Sequence, residues 1–311
     1  MKQTININGR LIGKDQPPYV IAEISGNHNG SIDRALKLIE TAKQAGADAV
    51  KIQTYRPDTM TIDCDKSDFL VKGGLWDGKT LYELYEWAHT PWEWHKALFE
   101  KAKDVGITLF SSPFDESAVD FLEGFDVPAY KIASFEMTDL PLIEKVAKTG
   151  KPLIISTGMA NNEEIDETVS LVRSSGNENL ILLHCVSAYP AKHTAANLKT
   201  IPDLNNKFNT VVGLSDHTLS NVTSIAAISM GAAVIEKHFI DSRKEQGPDS
   251  AFSLESDELH ALCKDTRIAW ECLGQVNYDL AEGEKSSSVF RRSIYIVDDI
   301  KKGEIFTSKN T

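Results

Sequence analysis

The sequence predicts an α/β fold of the (β/α)8 TIM-barrel class, followed by the truncated start of a small β domain. Eight short apolar runs recur along the 311 residues, and each stops abruptly at polar residues. Seven of them are followed by helix-like sequence, and their spacing of about 20–30 residues matches one βα unit. The runs are YVIAEI (19–24), AVKIQT (49–54), TLFSSP (108–113), YKIAS (130–134), PLIIST (152–157), LILLHC (180–185), VVGLSD (211–216) and AVIEKHF (233–239).

The strand and helix signals along the chain agree with this fold. Hydrophobicity is nearly continuous within each run, as in parallel strands that are buried on both faces. Between the runs, Ser31 is the predicted N-cap of a helix that ends at Gly46, and Asp139 precedes another helix that ends at Gly150. Residues 257–274 are amphipathic and form the predicted last helix of the barrel.

Two segments interrupt the regular pattern. Residues 55–90 form an aromatic-rich insertion on the catalytic face, either as a lid or subunit contact or as packing over the barrel rim. The small, polar residues 281–290 predict a linker. Residues 291–311 then begin a strand–turn–strand unit, and a hairpin of this size rarely stands alone. We therefore assign residues 1–280 to the catalytic barrel and residues 291–311 to the incomplete start of a second domain.

Composition and charge disfavour several classes of protein. The net charge is −12 and the basic residues are dispersed, which disfavours a nucleic-acid-binding surface. No apolar stretch approaches the length of a membrane span, and the N-terminus lacks the apolar core of a signal peptide. The four cysteines form no CxxC pair, which suits a reducing compartment. We expect a cytoplasmic protein, in which a few lysines focused in a cleft can still attract an anionic substrate.

Polar residues at the ends of the runs predict the wall of an active site. A (β/α)8 barrel gathers the C-terminal ends of its strands on one face, and the active site lies there. The predicted wall consists of Glu23, Lys51, Gln53, Ser111, Lys131, Ser134, Ser156, Ser215, Asp216, His217 and His238.

Two histidines at the ends of neighbouring runs are the sharpest local signal. His217 follows the seventh run, and His238 lies at the end of the eighth. Because neighbouring strands lie about 4.8 Å apart, both imidazoles can reach one ion at about 2.1 Å. With positions left open for water and substrate oxygens, the pair suits a catalytic divalent metal such as Mn²⁺; alternatively, the two are independent polar residues. Asp249 lies either beside this metal or in an ordinary Gly-Pro-Asp turn.

Two lysines, Lys51 and Lys131, lie near the ends of the second and fourth runs. A buried lysine is almost always paired or functional, and two at one mouth predict a phosphate or carboxylate ligand. The alternatives are a Schiff base, or salt bridges with Glu23 and Glu236 inside the barrel. Glu23 either serves as an acid–base or hydroxyl-orienting group, or it neutralises Lys51. Hydroxyl donors around the same anion are Ser134, Ser156 and Ser215.

Eight motifs, in order, resemble those of the sialic acid synthase family over essentially the whole chain. They are AEISGNHNG, VKIQT, SSPFD, YKIAS, STGMA, LLHC, GLSDHT and IEKHF. Within the family, the segments SGNHNG, IQTYRPDTMT and TPWEWH look most like those of the pseudaminic acid synthase branch. The neuraminic and legionaminic acid synthase branches usually carry a different pair in place of Ser25-Gly26.

The resemblance implies a transferase that condenses phosphoenolpyruvate with an N-acetylated amino sugar to give a nine-carbon 2-keto acid and phosphate. In the pseudaminic branch the sugar is 2,4-diacetamido-2,4,6-trideoxy-L-altrose; the alternatives are the sugars of the other branches, or a Schiff-base aldolase on the same barrel. It also implies a homodimer and a divalent metal, Mn²⁺ or Mg²⁺, on His217 and His238. Phosphoenolpyruvate would be held by Lys51, Lys131, Ser134, Ser156 and Ser215. The sugar or proton transfer would involve Glu23, Gln53 and Asp249.

The sequence departs from the family pattern at two places. Sialic acid synthases commonly have an asparagine two residues after the His-Cys pair, whereas this chain has Ser187, which indicates a different sugar contact. Residues 291–311 resemble only the start of the antifreeze-like (SAF) domain, whose arginine reaches the active site of the partner subunit in the family. We therefore expect this chain to lack that arginine and to bind the sugar more weakly, with the metal and phosphoenolpyruvate sites intact.

Overall fold

A computed structural model describes residues 4–311, so the first three residues of the N-terminal stretch considered above lie outside the described part. The strands are β1 (Ile5–Ile7), β2 (Arg10–Ile12), β3 (Tyr19–Glu23), β4 (Ala49–Thr54), β5 (Thr108–Pro113), β6 (Tyr130–Ile132), β7 (Leu153–Ser156), β8 (Leu180–Cys185), β9 (Val211–Ser215) and β10 (Val234–His238). Strands β3 to β10 pair in parallel and close into a barrel in which β10 lies between β9 and β3. Each predicted run contains one barrel strand, and the prediction of a (β/α)8 barrel is confirmed.

Helices surround the barrel strands in the expected alternation. They are α1 (Ile32–Ala45), α2 (Pro57–Met60), α3 (Leu81–Ala88), α4 (His95–Val105), α5 (Glu116–Glu123), α6 (Leu140–Lys148), α7 (Asn162–Ser174), α8 (Thr200–Phe208), α9 (Val222–Ser229) and α10 (Ser256–Leu273). Helix α1 begins after Ser31, whose hydroxyl accepts from the Arg34 N–H, and ends at Gly46 with φ at +97°. Helix α6 begins after Asp139, whose side chain accepts from the Leu142 N–H. Both predicted boundaries are confirmed, because local capping determines them.

Short 3₁₀ helices occupy several of the loops. They are Ser25–His28, Ser67–Phe69, Gly74–Trp76, Trp92–Trp94, Ser134–Glu136, His193–Ala195, Ser250–Phe252, Glu282–Glu284 and Ser286–Phe290.

An N-terminal hairpin, which the sequence reading did not predict, closes the bottom of the barrel. Strands β1 and β2 pair antiparallel across Asn8-Gly9, an Asn-Gly turn between alternating apolar residues that is a strong hairpin signal. The buried side chains of Ile7 and Ile12 belong to the same apolar cluster as Ile21, which faces into the barrel. The hairpin therefore seals the N-terminal end of the strands and leaves the C-terminal end for the site.

Alternation along the strands produces two different layers of core. Outward residues such as Val50 and Ile52 pack against the helices, whereas inward residues such as Ile21 and Phe110 fill the barrel. The inward positions are apolar near the N-terminal ends and polar near the C-terminal ends. This gradient places charged side chains in one layer above an apolar floor.

The insertion at residues 55–90 packs over the barrel rim, as one of its two interpretations has it. Tyr55 packs edge-on against Tyr85 and Phe114, with ring centroids 5.9 and 5.1 Å away. The indole N–H of Trp76 donates to the carbonyl of Pro248, in the loop after β10, at 2.7 Å. The insertion is therefore tied to a loop of the catalytic face.

Residues 274–311 form a compact unit of their own, separate from the barrel unit that ends at Leu273. The predicted strand–turn–strand unit is wrong here, because the described residues 291–311 contain no strand. The expected turn does form, since the Glu304 N–H donates to the Lys301 carbonyl at 3.0 Å. A two-stranded hairpin without a packed face is at best marginally stable, and Ile294 and Ile296 in this segment are exposed. Assignment to an antifreeze-like (SAF) domain stays a prediction.

Among the described residues, no helix combines the length and the apolar character that crossing a bilayer requires.

Truncating a hairpin side chain should destabilise the barrel. Ile7→Ala removes a fully buried side chain from the apolar floor, so we expect the free energy of unfolding to fall by about 2–5 kcal/mol. Leu11→Ala, at an exposed position of the same hairpin, is the matched control. The measurement is urea unfolding followed by circular dichroism. Equal unfolding midpoints for the two variants would show that the hairpin does not act as a floor.

Candidate active site

The C-terminal ends of the barrel strands carry a buried group of four charged side chains, which we call the charged centre: Glu23, Lys51, Lys131 and Glu236. The Lys51 ammonium pairs directly with the Glu23 carboxylate and lies 3.7 Å from Glu236 Oε1. The Lys131 ammonium lies 3.4 Å from the same Glu236 oxygen. Both lysines are therefore salt-bridged, as one of the three interpretations has it. Glu236, considered from the sequence only as a lysine partner, is the residue that joins them.

Neighbouring hydroxyls complete the charged centre. The Ser215 hydroxyl donates to Glu236 Oε1 at 3.3 Å, and the Lys51 ammonium donates to the Ser112 hydroxyl at 3.3 Å. The Ser156 hydroxyl and Glu236 Oε2 are buried without a hydrogen-bond partner. Buried polar atoms are almost always paired, so these two indicate that a polar ligand completes the site.

Burial and mutual pairing set the protonation of the charged centre. Burial raises the pKa of Glu23 to about 7, although the Lys51 charge opposes this. Burial also acts on Glu236, but the charges of Lys131 and Lys51 outweigh it and lower the pKa of that carboxyl. The pKa of Lys51 is raised because its two carboxylates outweigh its burial. Glu23 can therefore exchange a proton near neutral pH while Glu236 stays ionised.

Lys131 differs from Lys51 in its environment. Burial lowers the pKa of Lys131, and the Lys51 charge adds to this effect while Glu236 opposes it. When Glu23 is protonated, two ammonium groups face one carboxylate, so the centre carries a net positive charge that suits an anion. Lys51, kept protonated by its partners, is poorly suited to form a Schiff base, which requires a neutral amine.

The two histidines lie together at the rim of the same mouth. The ring centroids of His217 and His238 are 5.5 Å apart. His217 Nδ1–H donates to the Val186 carbonyl at 3.0 Å, which leaves its Nε2 as the free lone pair. His238 Nδ1 is buried without a hydrogen-bond partner, and the nearest Asp249 oxygen lies 3.9 Å from it.

This arrangement fits a divalent cation. A ring separation of 5.5 Å allows both imidazoles to reach one ion at about 2.1 Å. Burial lowers the pKa of His238 well below its usual value, and the positive charges of Lys51 and Lys131 add to this effect, so this imidazole is neutral as a ligand must be. Within residues 4–311, no group of three or more histidine, cysteine, aspartate or glutamate side chains is placed to hold an ion. A two-histidine site would therefore leave coordination positions for water and substrate oxygens.

Cys185 is a close neighbour of the first histidine. Its thiol lies 3.8 Å from His217 Nδ1. Burial alone would raise the pKa of Cys185, but His217 lowers it to about 7. Burial likewise opposes charging of His217, whose pKa is nevertheless raised by Cys185 and by the Val186 carbonyl.

The loop after β10 brings Asp249 into the mouth. Burial raises the pKa of Asp249, although the Ser25 hydroxyl and the Gly26 N–H oppose this. A Cβ on Gly26 would lie 2.6 Å from Pro248 Cγ and 3.1 Å from the Ala88 backbone, so only glycine fits there. The loop after β3, the insertion and the loop after β10 thus meet at Ser25-Gly26. This is the pair at which the sequence resembles the pseudaminic acid synthase branch.

The remaining predicted substrate residues lie around the same mouth. Gln53 is half-buried two residues after Lys51, on the same face of β4. A Cβ on Gly158 would collide with the hydroxyls of Ser134 and Ser187, so these two serines approach each other across that glycine. The glycine was predicted to let a ligand approach the backbone, whereas the structure fills the space beside it with serine hydroxyls.

Two residues of the predicted wall, Ser111 and Asp216, face the helices and not the mouth. The Ser111 hydroxyl lies 2.6 Å from Thr54 Oγ1, whose own contact is His95 Nε2 at 2.8 Å, on the helix side of β5. Ser112, the next residue, faces the charged centre in its place. Asp216 pairs with Lys237, also outside the barrel. Both predictions are wrong because side chains alternate along a strand, and a shift of one residue reverses the face.

Two further residues of the mouth were not predicted. Burial raises the pKa of Glu136 to about 7, and its Oε2 is buried without a hydrogen-bond partner. The sequence could have predicted Glu136, because it is a carboxylate two residues after Ser134 in the loop that follows β6. Tyr189 packs against His217, with ring centroids 4.4 Å apart. Tyr189 lies four residues after the end of β8, and no local sequence pattern predicts its position in the mouth.

Sequence comparisons identify relatives of this chain. The sequence profile described as the NeuB family matches residues 38–278. The chain is 49% identical over 296 residues to the pseudaminic acid synthase of Campylobacter jejuni subsp. jejuni serotype O:23/36, which covers 95% of this chain and 86% of that protein. It is 38% identical over 295 residues to an N,N'-diacetyllegionaminic acid synthase of Campylobacter jejuni serotype O:2, which covers 94% of this chain and 88% of that protein.

A solved structure is similar to this chain in both fold and sequence. The crystal structure of the N-acetylneuraminic acid synthetase from Leptospira borgpetersenii, in complex with citrate, superposes with a TM-score of 0.82 at 30% identity. The match covers 94% of this chain and 97% of that one. The profile match and the identity to relatives over almost the whole barrel establish that the chain belongs to the NeuB family.

Proposed function

We propose that the chain is a pseudaminic acid synthase, which condenses phosphoenolpyruvate with 2,4-diacetamido-2,4,6-trideoxy-L-altrose and water to give a nine-carbon 2-keto acid and phosphate. The observation that carries the proposal is that an anion-suited pair of lysines and a pair of imidazoles share one barrel mouth. The identity to a pseudaminic acid synthase exceeds that to a legionaminic acid synthase, which supports the choice of sugar. Assembly as a homodimer and a cytoplasmic location accompany this proposal as predictions.

The imidazoles of His217 and His238 would hold the divalent metal, Mn²⁺ or Mg²⁺. When bound, this ion would act as a Lewis acid that polarises the aldehyde of the sugar. Tyr189 and Phe252 pack against the two rings, with centroids 4.4 Å from His217 and 4.9 Å from His238, and would limit their movement.

Lys51 and Lys131 would bind phosphoenolpyruvate, with hydroxyls as additional donors. The buried and unpaired Ser156 hydroxyl supports this role, because an anionic oxygen would satisfy it. Ser134 and Ser215 would be further donors to the anion, and Gln53, Ser187 and Asp249 would contact the sugar. The fixed donors would stabilise charge as it develops on the phosphate.

Glu23 would move the proton in the condensation. C3 of the enol forms a bond to the aldehyde carbon, and Glu23 gives its proton to the aldehyde oxygen. Water then adds to C2 and returns one proton to Glu23. The C2–O bond to phosphate breaks as the keto group forms, and the second water proton leaves with the phosphate. A carboxyl with a pKa of about 7 suits both directions of this transfer.

A phosphate-release assay with a panel of sugars tests the proposed function. With phosphoenolpyruvate and Mn²⁺, we expect the diacetamido altrose to react at least about 10-fold faster than N-acetylmannosamine or the legionaminic acid precursor sugar. Each of these differs from it in several substituents or stereocentres, and one changed group in a pocket already gives about 10–200-fold discrimination. EDTA should abolish phosphate release and Mn²⁺ should restore it. A preference for N-acetylmannosamine would overturn the choice of sugar. Borohydride trapping of a lysine would indicate an aldolase instead.

Removing one lysine of the charged centre should weaken phosphoenolpyruvate binding. Lys131→Met deletes an ammonium that faces the proposed anion, so we expect an affinity loss of at least 30-fold, or about 2 kcal/mol. Lys145→Met, which breaks an ion pair with Asp120 on the outer helices, is the control and should bind normally. Calorimetric titration measures both, with circular dichroism as the check on folding. Equal affinities in the two variants would exclude Lys131 from the anion site.

The affinity for phosphoenolpyruvate should depend on pH through Glu23. Its pKa is raised to about 7, so Glu23 is protonated below this pH and the charged centre is then net positive. Affinity should fall as pH rises through about 7, because ionised Glu23 repels the anion. Glu23→Gln should remove this component and leave the ionisation of the phosphate, of Glu136 and of Cys185. Parallel profiles for the wild type and the variant, measured by calorimetry, would contradict the assignment.

A further inference from the structure

Behind the two histidines, on the helix side of the barrel, lies a buried polar cluster that the proposed chemistry does not use. We call it the Asp216 cluster; its buried side chains are those of Asp216, Thr218, Ser224 and Lys237. The backbone carbonyl of the exposed Ser220 also accepts from Lys237. Lys237 is 1% exposed, and its ammonium lies 3.0 Å from Asp216 Oδ2. It also donates to the carbonyls of Thr218 at 2.5 Å and Ser220 at 3.3 Å. All three ammonium protons therefore have an acceptor.

Asp216 is equally well satisfied. Its Oδ1 accepts from the Thr218 N–H at 2.9 Å, and its Oδ2 accepts from the Ser224 hydroxyl at 2.6 Å. Ser224 lies in the first turn of helix α9. The cluster thus joins strand β10, the loop after β9 and helix α9 through charged hydrogen bonds, which are stronger than neutral ones.

The position of this cluster in the chain links it to both histidines. His217 lies between Asp216 and Thr218, and His238 directly follows Lys237. Side chains alternate on β10, so Lys237 faces the helices while His238 faces the mouth. In the loop after β9, Asp216 pairs with Lys237 while His217 lies beside His238. The Asp216 N–H also donates to the Glu236 carbonyl at 2.9 Å, which extends the pairing of β9 with β10 up to the first histidine. A shift of the backbone at either histidine would therefore disturb this cluster.

Stability alone is a weak reason for such a cluster. Replacing a buried ion pair by apolar side chains is often neutral or even stabilising, since desolvation offsets much of the attraction. Both side chains here are 1% exposed, so that offset is large. What the ion pair does supply is a single geometry, because Lys237 bonds to Asp216 and to two backbone carbonyls, while Asp216 Oδ2 also accepts from the Ser224 hydroxyl.

We propose that Asp216 and Lys237 are positioning residues that set the separation and orientation of His217 and His238 for a divalent cation. The inference rests on the proposed function, in which these imidazoles hold the metal. Outer residues that orient metal ligands typically change metal affinity by about 10–100-fold when they are replaced. Asp216 and Lys237 act through the backbone on which the histidines are carried, without touching the ion.

The test is Mn²⁺ binding to the whole protein, measured as free Mn²⁺ by electron paramagnetic resonance. Lys237→Met keeps a long unbranched side chain without the charge, and we expect it to weaken Mn²⁺ binding by about 10–100-fold. Lys151→Met is the matched control, since Lys151 also pairs with a carboxylate, Glu123, at 2.9 Å, but far from the histidines. It should bind Mn²⁺ as the wild type does. If Lys237→Met fails to fold, the double variant Asp216→Asn with Lys237→Met, which leaves no buried charge, takes its place.

A second measurement separates this inference from the proposed function. In the metal-free protein, the hydrogen bond from His217 Nδ1–H to Val186 should give a protected imidazole resonance in ¹⁵N NMR of histidine-labelled protein. We expect Lys237→Met to lose that protection and Lys151→Met to keep it. A folded Lys237→Met that retains both the resonance and wild-type Mn²⁺ affinity would overturn the inference. If His217→Ala leaves Mn²⁺ binding unchanged, the metal site itself is wrong, and the resonance alone then decides whether Lys237 positions the histidine.

Discussion

The pairing of two buried lysines with two buried carboxylates is the interaction on which the rest of the site depends. An ammonium inside a barrel is tolerated only when it is paired, and Lys51 and Lys131 are paired through Glu23 and Glu236. The two carboxylates are paired unequally. Glu236 lies near both lysines and stays ionised, whereas Glu23 pairs with Lys51 alone and holds its proton near neutral pH. One proton on Glu23 therefore changes the net charge of the mouth. The same group can then both admit an anion and supply the proton that the condensation requires.

Strand alternation divides the residues of each strand end between two tasks. On β10, Glu236 and His238 face the mouth, while Lys237 between them faces the helices. The inner side chains lie at the charged centre and beside His217, and the outer Lys237 bonds to the loop in which His217 lies. This division explains how Glu236 and Lys237 can both be buried, one after the other, without competing for the same partners.

The mouth lies between the N-terminal hairpin on one side and the insertion on the other. Below it, the hairpin of β1 and β2 fills the N-terminal end of the barrel with isoleucines. Above it, the insertion reaches the loop after β10 through Trp76 and Pro248. Gly26 has no space for a side chain because these rim segments meet there. Asp249 and Ser25, which lie at this junction, are thus held by contacts from three separate parts of the chain.

The sequence by itself determined the barrel, the bounds of its strands and several helix ends, because these depend on local periodicity, caps and short-range hydrophobic pattern. It also determined which residue types lie at the strand ends, and hence the families of chemistry that are possible. Only the tertiary structure decided that Ser112 and not Ser111 faces the mouth, that Glu236 joins the two lysines and that Tyr189 belongs to the site. The local pattern of a strand buried on both faces is apolar throughout, so it does not reveal which face is which; pairing between strands distant in the chain decides that. The segment 291–311 shows the converse, since a strand-like pattern there forms no strand among the described residues.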